Sequence, residues 1–173
     1  MDIFSQRLKW ARENAGLSQK EMAEEISMSP QGYGKIENGQ REPNLESLAK
    51  LPHILKETTD FLLGVTEIDT QSEIKIKEFR STLKFINSLK HDLTQYENHD
   101  ANIPSAATQS KDIIQKQIDS DKEVLKYFID VRDDIREILI STLKKVPGNE
   151  GIAEEIVNDI ELEERLEFNF KHQ

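Results

Sequence analysis

His91 followed by Asp92, and His99 followed by Asp100, are the side chains whose types first suggest chemistry. Imidazole and carboxylate together are what a zinc ion takes. Their arrangement argues against a site: they straddle a helix end and a loop without tight ligand intervals, so they read as solvated. The acidic run Glu161, Glu163, Glu164 and Glu167 reads as a solvated helix face. The chain has no HExxH, no Gly-rich phosphate loop and no Ser–Lys pair in a β-rich setting. Its lack of cysteine excludes disulfides and thiolate zinc sites. No catalytic residue, metal or cofactor is therefore expected, and the chain reads as a non-enzyme.

The other side chains must be positioned by helices. Residues 3–15 read as a first helix with Phe4, Leu8 and Ala11 on one face, closed by Gly16. Ser18 with Glu21 three residues on is a capping box, opening a second helix with Met22, Ala23 and Ile26 inward. Ser29-Pro30 supplies an N-cap and a first-turn proline for a third, with Tyr33 and Ile36 inward and Asn38-Gly39 as its end. Asn44 caps a fourth helix bearing Leu45, Leu48, Leu51 and Leu55. Thr58 caps a fifth with Phe61 and Leu62, which stops at Gly64. Residues 1–64 thus form one small five-helix domain.

Residues 65–70 read as a linker. Thr70 to Glu73 is a second capping box, opening a helix to about Tyr96 with Ile76, Phe79, Leu83, Ile86 and Leu93 on its stripe. Residues 97–109 read as a loop, and a long helix covers about 110–146. It carries two adjacent seams, Val124, Phe128, Val131, Ile135 and Ile138, then Leu125, Ile129, Leu139, Leu143 and Val146. Two seams make a wide apolar face suited to a bundle. After Pro147-Gly148, a last helix over about 150–169 is expected to turn Ile152, Ile156, Ile160 and Leu166 inward. The fold class is all-α: a small domain at 1–64, then a long-helix bundle or coiled-coil-like oligomerisation region at 71–173. The core of that region is expected to close between two chains rather than within one.

The net charge of −10 divides unevenly, −2 over residues 1–64 and −8 over 65–173. The acidic part would repel non-specific nucleic acid. A near-neutral head can still bind phosphates if its few cations converge. No apolar stretch approaches the roughly 18 residues of a membrane span, and MDIFSQRLKW has no apolar signal core. The expectation is a cytoplasmic protein without a membrane partner.

The stretch Leu17-Ser18-Gln19-Lys20-Glu21-Met22-Ala23-Glu24-Glu25-Ile26, then Ser27-Met28-Ser29 and Lys35-Ile36-Glu37-Asn38-Gly39, resembles the phage-repressor (Cro/cI, XRE) helix-turn-helix family. So do Arg41-Glu42-Pro43-Asn44-Leu45 and Thr59-Asp60-Phe61-Leu62-Leu63-Gly64. The resemblance covers about residues 3–64 and implies a lambda-repressor-like DNA-binding domain. By position it implies that Gln19 grips a backbone phosphate and braces the reading residues. Ser29, Gln31 and Lys35 would face outward on the reading helix, where Gln can pair with adenine and Lys with guanine. Asn38 and Arg41 would hold phosphates, by backbone N–H and cationic side chain. Arg12 and Glu37 would form a structural ion pair.

Three departures from the family pattern stand out. Ser27 occupies a turn position that usually has Gly, and a left-handed Ser costs about 1 kcal/mol. Gly32 and Gly34 flank Tyr33 inside the reading helix, each costing about 1 kcal/mol relative to Ala, and Gly32 also removes a side chain from a base-facing position. Pro52 interrupts the fourth helix. The function implied is a sequence-specific transcriptional regulator, a repressor of phage or mobile-element type, binding operator DNA as a homodimer. The alternative is a partner-binding switch whose residues 65–173 capture another protein.

Overall fold

The computed structural model describes residues 2–101 and 108–171. All regular structure among them is helical: α1 (Ile3–Asn14), α2 (Gln19–Glu25), α3 (Pro30–Glu37), α4 (Leu45–Leu55), α5 (Thr59–Leu63), α6 (Thr70–Ala101), α7 (Thr108–Leu143) and α8 (Ala153–Lys171). None of these helices is long and apolar enough to cross a membrane. The chain forms two compact units, one from residues 2–74 with Ile140–Glu154, the other from Lys75–Leu139 with residues 155–171.

In the first unit the helix starts follow from side-chain caps. Asp2 accepts from the Ser5 N–H, Ser29 from Gly32, Asn44 from Ser47 and Thr58 from Phe61. Ser18 and Glu21 form the reciprocal box. Each satisfies donors that the first turn of a helix leaves open. The core is Leu8, Ala11, Met22, Ala23, Ile26, Tyr33, Ile36, Leu51, Leu55, Phe61 and Leu62, with Val146 joining from far along the chain. Trp10 is half-buried, its ring edge-on to Phe61 at 5.6 Å.

Two local expectations are corrected here. Leu45 is 84 % exposed, because the buried face of α4 runs through Ser47, Leu51 and Leu55, leaving the first residue well off it. The cap of α6 is Asp69 rather than Thr70: its carboxylate accepts from the N–H groups of Gln71 (3.2 Å) and Ser72 (3.3 Å). A carboxylate at that end also meets the positive pole of the helix dipole.

In the second unit, Ile76, Phe79, Leu83, Ile86 and Leu93 of α6 are buried, as the stripe predicts, together with Ile118 and Leu139 of α7 and Val157 and Ile160 of α8. The Phe85 and Phe128 rings meet at 4.4 Å, tilted by 47°, and Arg80 bridges α6 to Glu163 and Glu164 of α8. Within the single chain, α6, α7 and α8 each contribute to this buried set. The first α7 seam stays partly open, with Val124 and Ile138 exposed. The inward face of α8 is also rotated from the one expected. Ala153, Val157, Ile160 and Glu164 are buried, Ile152 and Ile156 are half-buried and Leu166 is exposed. The loop expected at 97–109 is helical through Ala101 and again from Thr108; the rest of it lies outside the described residues.

Candidate nucleic-acid interface

The turn between α2 and α3 is built on one left-handed residue. Ser27 has φ +59°, and the N–H groups of Ser27 and Met28 return to the carbonyls of Glu24 (3.0 Å) and Ala23 (2.8 Å). Ala23 is fully buried where the two helices meet, and the half-buried Met28 packs against the domain core. The Ser27 expectation is thereby met.

On α3, Tyr33, Ile36 and Glu37 are buried while Gln31 and Lys35 are exposed. Ser29 is exposed and spends its hydroxyl as the N-cap, accepting from the Gly32 N–H at 3.1 Å. Gly32 lies in the first turn of α3. A Cβ there would lie 3.0 Å from the Ser29 Oγ and 3.1 Å from the Met28 Cγ. The missing side chain makes room for the inter-helix turn.

Gln19, also exposed, lies along α3, its Oε1 3.7 Å from where a Gly34 Cβ would be. Its Nε2 donates to Glu37 Oε1 at 3.0 Å. The same carboxylate takes Arg12 Nε on Oε2 (2.7 Å) and Nη2 on Oε1 (2.9 Å), while Arg12 Nη1 donates to the Leu17 carbonyl at 2.7 Å. Burial alone would raise the Glu37 pKa. The donors from Arg12 and Gln19, with the Arg12 charge, outweigh burial and hold it below the ordinary value. The Tyr33 hydroxyl is buried near this carboxylate without a hydrogen-bond partner. Burial first, then the Glu37 charge, raises its pKa far above the ordinary phenol value.

Asn38 and Arg41 are both exposed after α3. The N–H groups of Asn38, Gly39 and Gln40 donate to the carbonyls of Gly34, Ile36 and Lys35, closing the helix around Gly39 at φ +70°. Asn38 is left with its side chain, not its backbone N–H, to offer a phosphate.

Residues 8–62 match the family model described as helix-turn-helix. The N-terminal segment is a helix-turn-helix domain. The SPbeta prophage-derived uncharacterized HTH-type transcriptional regulator YonR of Bacillus subtilis (strain 168) is 49 % identical over 64 residues, covering 37 % of this chain and 59 % of that protein. The HTH-type transcriptional regulator ImmR of the same organism is 37 % identical over 70 residues, 40 % of this chain and 55 % of that one. The HTH-type transcriptional activator BcrR of Enterococcus faecalis is 35 % identical over 83 residues, 48 % and 39 %. The chain spans about half the length of the curated relatives it matches. No solved structure matches it.

The helix-turn-helix domain also holds residues that the sequence reading passed over. Arg7 is buried, its Nη1 donating to the carbonyls of Phe61 (2.8 Å) and Thr66, and its Nε to that of Pro147 (3.2 Å). Its guanidinium sits over the Phe61 ring at 4.6 Å. Burial lowers its pKa, against the charges of Glu67 and Asp69. One signal was available: Arg7 stands three residues after Phe4 and beside Leu8, on the apolar face of α1.

Proposed function

We propose that this chain is a sequence-specific DNA-binding transcriptional regulator, not an enzyme, acting on operator DNA in the cytoplasm. The observation that carries the reading is the division of α3. Its buried side, Tyr33, Ile36 and Glu37, is anchored in the domain, and its free side offers Gln31 and Lys35. A helix held this way can enter the major groove, where amide and ammonium groups discriminate base edges. Gln19, Asn38 and Arg41 would then meet phosphates, which fix register without reading sequence. The relatives' names, transcriptional regulators over this same segment, support the reading.

The regulator would work as a homodimer through the helices after residue 70, setting two reading helices on half-sites spaced by about one turn or a multiple. Exposed Val124 and Ile138 on α7 offer apolar surface for that contact. Repression by occupying a promoter is the mode proposed. The alternative, capture of a protein partner by residues 65–173, draws on that same surface. Selection of random duplexes on the full chain tests the function, with Gln31→Ala/Lys35→Ala as control. An enriched palindrome lost in the control supports a dimeric reader. No enrichment by the unaltered chain would remove DNA reading as its activity.

A further inference from the structure

Residues from the ends of α1 and α4 and from the start of α6 line a cleft of about 760 Å³ in the first unit. That volume suits a small organic molecule, for which clefts of about 300–1,000 Å³ are usual. Much of its wall is apolar. Trp10, Leu17 and Ile54 are half-buried there and Leu55 is buried. The Trp10 ring packs against Phe61 with 62° between the planes, so this wall is in place before anything binds.

One lining group differs in kind from these. Glu57, also half-buried, takes the Thr70 N–H on Oε2 at 2.9 Å. Among the described residues no cation pairs with its carboxylate. Burial pushes its pKa upward, the Asp69 charge adds to that, and the Thr70 N–H opposes it. The carboxylate is short of a counter-charge. The remaining ionisable groups of the lining, Glu25, His53 and Lys56, are exposed. Water and salt screen them, and Glu25 and Lys56 offset each other in sign. The charge felt inside the cleft is therefore the negative one of Glu57.

This combination selects among ligand classes. An anion would be repelled by Glu57, and a neutral apolar molecule would strip water from that carboxylate and give nothing back. An organic ammonium supplies the missing charge, and an aromatic face attracts it as well.

We propose that this cleft binds an organic cation, an ammonium bearing an aromatic group, with the ammonium at Glu57 and the apolar group against Trp10, Ile54 and Leu55. Gln19, Ser29, Gln31, Lys35, Asn38 and Arg41 are not among its lining, so the site is distinct from the DNA-reading face and does not depend on it.

The test is a titration of the isotope-labelled full chain with benzyltrimethylammonium up to about 20 mM, a range that reaches the affinities open to so small a molecule. Trp10 is the single tryptophan, so its side-chain N–H resonance reports the cleft without ambiguity. Tetramethylammonium, which lacks the ring, and phenylacetate, which reverses the charge, are compared at equal ionic strength. The expected result is a saturable shift with benzyltrimethylammonium, at an affinity about tenfold above either comparison compound. Glu57→Gln, which keeps an oxygen for the Thr70 N–H, should weaken it about fivefold or more. Glu25→Gln, on the exposed rim, should change it less than about twofold. No saturable shift would overturn the proposal. An equal response to tetramethylammonium would overturn it too, as mere attraction to an acidic chain, and so would an equal response to phenylacetate, as a cleft indifferent to charge. Equal losses in the two Glu variants, or none in Glu57→Gln, would remove Glu57 as the anchor and the proposal with it. Should Glu57→Gln fail to fold, the ranking of the three compounds on the unaltered chain decides.

Discussion

Arg12 and Glu37 meet through two parallel bonds, at 2.7 and 2.9 Å, and Gln19 closes on the same carboxylate at 3.0 Å. One buried carboxylate therefore joins α1, the start of α2 and the end of α3. Removing either charge leaves the other buried without its partner, which typically costs about 3–5 kcal/mol. Glu37→Gln and Arg12→Met should each destabilise by that order, while Arg12→Met with Glu37→Leu should recover most of the loss. Denaturant unfolding of all three checks it; additive losses would mean that the pair is not coupled.

The Glu37 pKa is lower in the folded chain than in the unfolded one. Such a carboxyl contributes stability that is complete above its unfolded value and lost as pH falls through the folded one. Melting temperature should therefore decline once pH drops below about 4.5, the ordinary Glu value. Glu37→Gln should flatten part of that decline while lowering the plateau at neutral pH. A variant whose acid limb is as steep as the parent's would assign the decline to other carboxyls.

Ser27 holds φ +59° in the turn, where a side chain is penalised and glycine is not. Ser27→Gly should raise stability by about 0.5–1 kcal/mol, with DNA affinity unchanged. A thermal melt reads it directly, and a lower melting temperature would show that the Ser side chain offsets its backbone cost.

Gln31→Ala and Lys35→Ala should lose sequence discrimination, about 1–3 kcal/mol at the base each one reads. Arg41→Ala should instead weaken all duplexes alike and reduce the slope of log affinity against log salt by about one. Titrations at several salt concentrations separate the two classes. Loss of discrimination on removing Arg41 would reassign it from phosphate to base.

Val146 is fully buried in the helix-turn-helix core although it stands more than eighty residues beyond that domain's last helix. Val146→Ala should cost about 2 kcal/mol, the loss of two buried methyl-sized groups plus some cavity. Trp10, the single tryptophan, sits against Phe61 and reports the unfolding of this domain by fluorescence. An unchanged transition would show that the domain folds without the 144–151 turn.

Much of the helix-turn-helix domain was legible in the amino-acid order because its decisive interactions are local. Ser18 with Glu21, Ser29 with Pro30, Asn44 and Thr58 each act on donors within a turn of themselves, so their spacing is enough to start α2 to α5. The outward positions of Gln31 and Lys35 follow from helical period against Tyr33 and Ile36. What the tertiary structure decided has long reach. Arg7 finds its Pro147 partner 140 residues away, and the Gln19 amide settles on Glu37 rather than standing free. The backbone N–H of Asn38 is consumed by the closure of α3. Which side of α8 turns inward was likewise decided by neighbours: several faces of an amphipathic helix hold enough apolar residues to be buried, and only the packed partners choose among them. Caps and period are properties of a few adjacent residues; burial and polar satisfaction belong to the whole arrangement.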